Sequence, residues 1–261
     1  MDLNEILKYR EGLMSHFKDL KFDEPSHTYT VNGVKYPSVS SLIKNFYEEF
    51  DSSGVAPIYA NRRGFNEQQV IDAWLGEGKI ASDKGHRVHL FGEDYVKWRY
   101  FGIGEEPKVS CKQTLGIVDF WNNFPTYLVP VATELQMYSE EYGYSGTADI
   151  IAIDTRVNEL LILDYKSNRD ILEVGKPPLY HIPQEYSLTQ NNLGKYALQF
   201  SFYQNLLQLK GYSVKGRVLI WLNEDKDNKK LYRTFKTPDL VEPLKSCASI
   251  WSPKLNGTLN K

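Results

Sequence analysis

The chain has 261 residues, 41% of them hydrophobic and 25% charged, the balance of a soluble globular protein with enough chain for one large domain or two small ones. No stretch approaches the roughly 18 consecutive apolar residues of a membrane helix. The first residues, MDLNEILKYREGL, lack both the apolar region of a secretory signal and the Arg/Ser bias of a transit peptide, so the expected location is cytoplasmic. The only cysteines, Cys111 and Cys247, form no C-x-x-C pair, which excludes a zinc knuckle or a four-cysteine iron–sulfur cluster and fits a reducing compartment. A net charge of −2 does not advertise nucleic-acid binding, although local basic clusters exist at Lys84, His86 and Arg87 and at Lys226, Lys229, Lys230, Arg233 and Lys236.

In chain order, apolar residues at helical spacing (Leu3, Ile6, Leu7, Leu13, Met14, Phe17) predict a helix over 3–20. HTYTVNGVKY, 27–36, places two β-rich runs around Asn32-Gly33 and predicts a hairpin with a type I′ turn. Pro37 and Ser38 are placed to open a helix over 39–47. The Gly- and Pro-punctuated segment 51–66 reads as a loop. Residues 67–100 read as helix with a break near Gly76 and Gly78, and 113–123 as another helix. The pattern then changes to three β-type runs, VPVATELQMYSEEY, GTADIIAID and ELLILDYKS, which predict an antiparallel meander. A Pro-rich connection leads to an amphipathic helix ending at Gly211, a buried strand at 217–223 and a hairpin partner in KKLYRTFK. One domain is expected over 1–261: a mainly helical region at 1–125 with its hairpin, a core at 126–240 and a C-terminal tail at 241–261.

The informative segment is GTADI, 146–150, followed by LDYKS, 163–167. A [D/E]-x-K triplet is common by itself, and others begin at Asp19, Glu77, Glu106, Glu224 and Asp227. The copy at Asp164 differs because it ends the apolar run Leu160-Leu161-Ile162-Leu163. An acid and a lysine at the end of a buried strand are costly unless paired or bound to a metal. Alternation puts Asp164 and Lys166 on one side and Tyr165 on the other. Asp149 begins the preceding apolar run, so antiparallel pairing brings it to Asp164. Two converging carboxylates repel, and a hard divalent cation resolves that repulsion. The same spacing is also met by a plain salt bridge from either aspartate to Lys166.

At these residues the chain resembles the PD-(D/E)XK nuclease superfamily, in particular its RecB-like exonuclease branch, which includes phage exonucleases and the mitochondrial genome maintenance exonuclease. Ordered motifs over about 36–210 carry the resemblance. KGHRVH looks like the helical G-x-x-x-H motif, with His89 as its histidine. ATELQMY looks like the strand that carries an acid, Glu134. YSGTADI and LILDYKS resemble the two strands that give Asp149 and then Asp164 with Lys166. YALQFSFYQ carries the Q-x-x-x-Y motif, Gln199 and Tyr203, and YPSVSSLI resembles a segment of the mitochondrial branch.

The resemblance implies an α/β fold with a restriction-endonuclease-like core, a central mixed sheet flanked by helices and a helical N-terminal region. It implies catalysis through Asp149, Asp164, Lys166 and Glu134. Mg2+ or Mn2+ would be held by Asp149, Asp164, the carbonyl of Tyr165 and His89. The substrate it implies would be DNA, single-stranded or with a free end, contacted by Gln199, Tyr203 and Arg87. Two other functions stay open: a non-catalytic platform for nucleic acid or protein, and a structure-specific endonuclease. No G-x-x-x-x-G-K-[ST] is present, so this chain carries no helicase motor of that type.

Overall fold

The structure is a computed structural model that describes residues 1–222 and 230–259. Helix α1 (Leu3–Ser15) opens on a capping box, in which Asp2 accepts from the backbone of Glu5 and the Glu5 carboxylate accepts from the backbone of Asp2. Three short antiparallel strands follow: β1 (Leu20–Asp23), β2 (Thr28–Val31) and β3 (Val34–Tyr36). Asn32 and Gly33 both take positive φ, as the type I′ turn requires. Ser38 caps the short helix α2 (Val39–Leu42), and a 3-10 turn completes that segment.

Two helices then form a hairpin, α3 (Ser52–Arg63) and α4 (Glu67–Val96). A single π-type turn, Lys97–Phe101, ends α4, and α5 (Lys112–Asn122) follows. The main sheet contains β4 (Leu128–Ser139), β5 (Tyr144–Asp154), β6 (Glu159–Lys166), β7 (Val214–Trp221) and β8 (Arg233–Lys236) in that spatial order. All neighbours are antiparallel except β6 and β7, which are parallel and joined through α6 (Asn192–Gln208). This is a central mixed sheet flanked by helices, with a largely helical N-terminal region.

Strand β6 lies inside the sheet and is covered on both sides, which is why Leu160–Leu163 is continuously apolar. Ile151, Ile153, Leu160 and Ile162 pack beneath α6 with Leu198, Phe202 and Trp251. Ile150, Leu161, Leu163 and Tyr165 pack beneath α4 and α5 with Val88, Phe91, Ile117 and Trp121. Gly92 sets the approach of α4 to the sheet, because a Cβ there would collide with the Tyr165 ring.

Several boundaries depart from the sequence expectations. The first helix stops at Ser15, and residues 20–23 become a strand that pairs with the hairpin. The segment expected as a loop at 51–66 is mostly helix: Asp51 caps it, and it runs through Pro57, which forgoes one interior backbone hydrogen bond. No break occurs at Gly76 or Gly78, since α4 runs through both. Each glycine costs about 1 kcal/mol relative to Ala, while Val70 near one end and Val88, Phe91, Tyr95 and Val96 near the other anchor the helix by burial. The segment expected as a C-terminal tail is folded onto the protein through α7 (Val241–Ser246) and α8 (Ala248–Trp251), with Leu244 and Trp251 buried. Lys226 and Lys229 of the second basic cluster, the expected strand end at Asn223, and the triplets beginning at Glu224 and Asp227 lie outside the described residues.

Candidate active site

The register of β4 on β5 sets Thr133 opposite Ile150 and Leu135 opposite Ala148, so Glu134 faces Asp149 across the ladder. Glu134 has φ of +46° in the middle of its strand. That conformation costs a non-glycine residue about 1–3 kcal/mol and persists only where the surroundings impose it. The sides of the sheet also slip here. Ala148 and Ile151 both join the core beneath α6, while Ile150 joins the core beneath α4. Strict alternation would separate Ala148 from Ile151. The irregularity lies at Glu134 and Asp149, and it turns two carboxylates towards one point.

Pairing of β5 with β6 begins at Ile150 and Leu163, so Asp149 and Asp164 stand just past its end, within hydrogen-bonding reach of each other. Lys166 O accepts from the N–H of Leu222, which assigns the backbone of Asp164 and Lys166 to β7. The backbone of Tyr165 is therefore turned towards β5, where its N–H donates to Asp149 Oδ2 at 3.4 Å. Its carbonyl is turned to the same side. The Tyr165 ring points the other way, into the α4 core, and its hydroxyl accepts from Trp121 Nε1 at 2.5 Å.

Helix α4 delivers His89, whose Nδ1 donates to Asp149 Oδ2 at 2.8 Å and whose ring stands edge-on to Tyr165. Holding Nδ1 in this way leaves Nε2 available as a ligand atom. One ligand atom each from His89, Glu134 and Asp149 lie within 4.8 Å of one another. Glu134 thus joins His89 and Asp149 in the group that could hold a cation. Asp164, only 3% exposed in its side chain, is 2.6 Å from Lys166 Nζ.

Charge at this point is frustrated. Burial and Asp149 push the Glu134 carboxyl up to about 8. Burial and Asp149 likewise push Asp164 up to about 7. Burial would raise Asp149 as well, but His89 and Lys166 outweigh it and hold this carboxyl well below its ordinary value. For His89, burial favours the neutral ring, and Asp149 reverses that and raises it. Lys166 is buried too, yet Asp164 and Asp149 raise it, so it stays an ammonium.

Gln199 and Tyr203, one turn apart on α6, are joined by a 2.9 Å hydrogen bond from Gln199 Nε2 to the Tyr203 hydroxyl. Burial keeps that phenol protonated, and the charges of Asp164 and Asp149 reinforce this. Tyr196, which sequence reasoning did not select, places its ring 5.0 Å from Lys166 Nζ. Glu93 was also missed. It lies one turn beyond His89, bonds Lys97 at 2.5 Å, and adds its charge at Glu134. The i,i+4 spacing from His89 was the available signal. The N-terminal hairpin braces the site, because the Tyr29 hydroxyl bonds Thr147 Oγ1 at 2.8 Å.

A groove of about 610 Å3 runs from His89 and Lys166 between α4 and the chain after β6, lined further by Ile80, Lys84, Arg169 and Tyr196. Arg87 is exposed on α4 and is not among the residues lining this groove. Two helical positions from His89 turn a side chain about 200° around the axis. Lys84 occupies the groove side instead. No helix among the described residues is long and apolar enough to cross a membrane.

No family model matches the chain, and no curated protein is similar to it. Among solved structures, the crystal structure of SSO0001 is similar at 12% identity and a TM-score of 0.34, over 93% of this chain and 83% of that one, a level that does not establish a shared fold.

Proposed function

We propose that this protein is a metal-dependent deoxyribonuclease that hydrolyses phosphodiester bonds in DNA with a free end and a single-stranded stretch. The observation that carries the reading is the convergence of Glu134, Asp149 and Asp164 from three adjacent strands, with His89 and Lys166 as their neighbours. Carboxylate oxygens with one imidazole suit Mg2+ or Mn2+ better than a thiophilic ion. His89, Glu134 and Asp149 would hold the ion, with Asp164 and the Tyr165 carbonyl beside them. When bound, it supplies charge stabilisation at the phosphoryl oxygens and a more acidic water.

The remaining work falls to the protein's own groups. Lys166 stays charged, so it serves by stabilising negative charge on the phosphoryl group and orienting the attacking water rather than by accepting a proton. Asp164 fixes the ammonium at 2.6 Å. Asp149 holds His89 in one orientation through Nδ1. The groove offers Lys84 and Arg169 to phosphates and Tyr196 to a base. Preference for a free single-stranded end also draws on the resemblance, since relatives thread a strand past the metal, and on the N-terminal helices, which supply more chain than a minimal core needs.

Digestion of end-labelled linear and covalently closed single-stranded DNA tests this reading. Linear DNA should be degraded in Mg2+ or Mn2+, the circle should survive, and EDTA should abolish cleavage. Undiminished cleavage in excess EDTA would overturn the metal mechanism. Equal rates on the circle would overturn the requirement for an end.

A further inference from the structure

A second opening reaches the same cluster from the other side. Between α1 and β4 lies a pocket of about 400 Å3 whose polar walls include Arg10, Lys18, Lys97, Thr133, Glu93 and Glu134, a size within the ordinary range for a small-molecule subsite. Glu134 belongs both to this pocket and to the cation-holding group, whereas His89 lines the groove beside α4. The two openings therefore meet neighbouring members of one cluster.

The pocket also contains an imbalance that protein packing does not explain. Among the described residues, four buried side-chain polar atoms have no hydrogen-bond partner, and two of them, Arg10 Nε and Thr133 Oγ1, belong to residues lining this one pocket. Thr133 is only 7% exposed. Each buried unsatisfied group costs about 1–3 kcal/mol. Two in one wall mark a place where donors wait for an acceptor. The Arg10 guanidinium rests over the Phe101 ring, 5.4 Å from its centroid, a contact that uses the face of the group and not its N–H hydrogens. Lys97 is already committed to Glu93, so the unspent positive charge belongs to Arg10 and the exposed Lys18.

We propose that this pocket is a phosphate subsite, in which Arg10 and Thr133, with Lys18 at the rim, hold a phosphate of the strand on the far side of the cleaved bond from the α4 groove. The proposal rests on the nuclease reading for the identity of the strand. Its chemistry is that of a phosphate oxyanion, which either a chain end or an internal phosphodiester can supply. Guanidinium and hydroxyl donors suit phosphate oxygens.

The test reads binding in EDTA, so it does not depend on cleavage. Anisotropy of an internally fluorescein-labelled oligothymidylate is followed for wild type, Arg10→Gln, Thr133→Val and the surface control Lys108→Gln, each over a range of salt. Arg10→Gln should raise Kd about tenfold and lower the salt slope by about 0.7, the loss of one single-strand phosphate contact. Thr133→Val, which keeps the side-chain shape, should weaken binding about threefold, the scale of one lost neutral hydrogen bond, and guards against misfolding of the arginine variant. Oligonucleotides bearing phosphate or hydroxyl at each end separate the sources: a loss confined to one phosphorylated end assigns the pocket to that end, and an equal loss on all assigns it to an internal phosphate. Wild-type affinity and salt slope in both variants, or an Arg10→Gln effect no larger than that of Lys108→Gln, overturns the proposal. Binding losses with a wild type that cleaves nothing would reject the nuclease reading and leave the subsite standing.

Discussion

Strand β5 carries an aspartate at each end of its apolar run, and the two are treated in opposite ways. Asp154 is fully buried, but Arg156 holds it through two side-chain bonds and a backbone bond, and Lys215 adds a further ion pair. These cations hold its carboxyl well below the ordinary range. Asp149, five residues earlier, shares its surroundings with Glu134 and Asp164, and Lys166 and His89 are the cations set against these acids. One end is closed as a structural ion pair. The other keeps surplus negative charge, a backbone held at positive φ, and open grooves beside it. Burial of a carboxylate by itself distinguishes nothing, whereas the balance of charge around it does.

The largest expected effect sharpens this contrast in kinetics. Lys166→Ala should slow cleavage by at least about a hundredfold, the usual scale for losing an electrostatic group at a reacting phosphate, while affinity for single-stranded DNA survives. Single-turnover rates and anisotropy on the same protein check it. A near wild-type rate would make Lys166 a salt-bridge partner of the same kind as Lys215. Gly92→Ala should come next, forcing a methyl group into the Tyr165 ring and costing about 1–3 kcal/mol in urea unfolding. It should also depress cleavage, because the same helix carries His89.

Neutral substitutions should then move stability in opposite directions at the two ends. Asp154→Asn should lower the urea midpoint, because Arg156 and Lys215 lose their anion. Glu134→Gln should raise it by about 1 kcal/mol in metal-free protein near pH 8, since it removes a surplus charge that solvent partly screens. Destabilisation by both would mean that Glu134 is a structural ligand and not a strained one. The smallest effect is a drift with pH. Glu134 and Asp164 are raised to about 8 and about 7, above ordinary carboxyl values. The folded state therefore holds protons that the unfolded chain has released. That contribution is complete below about pH 4 and is lost as pH climbs through 7 and 8. Thermal midpoints in EDTA should decline over this interval, and Mn2+ should flatten the decline.

Much of the site could be read from sequence because strands have a period of two. Asp164 and Lys166 had to share a side, and the antiparallel meander had to return Asp149 to Asp164. The Gln199 and Tyr203 pair followed equally directly from helical spacing. What could not be read depended on tertiary packing. Nothing local distinguishes the Gly- and Pro-marked segment of α3 from a loop, because its burial is provided by α4 through Ala56, Ala60 and Val70. The positive φ of Glu134 has no sequence signature, since it arises from its place opposite Asp149. Charge within KGHRVH marks Arg87 as basic but says nothing of which way a helix is rotated, and Arg87 is exposed on α4.

The burial of Trp251 bears on how the chain folds during synthesis. Its indole lies against Tyr142, Tyr144 and Phe202, with centroids 4.8–5.5 Å away, and it donates to Leu244 O. The backbone nearby is tied as well, with Ser252 Oγ bonding Tyr142 O. The wall beneath α6 is therefore open until residue 251 has left the ribosome, more than a hundred residues after β4 begins at Leu128. During that interval the emerging strands expose an apolar side with no final partner, the condition under which nascent chains aggregate or recruit chaperones. Ribosome-stalled chains ending before α7 should be digested readily by protease throughout β4–β6, and resistance should arrive in one step once α8 is exposed.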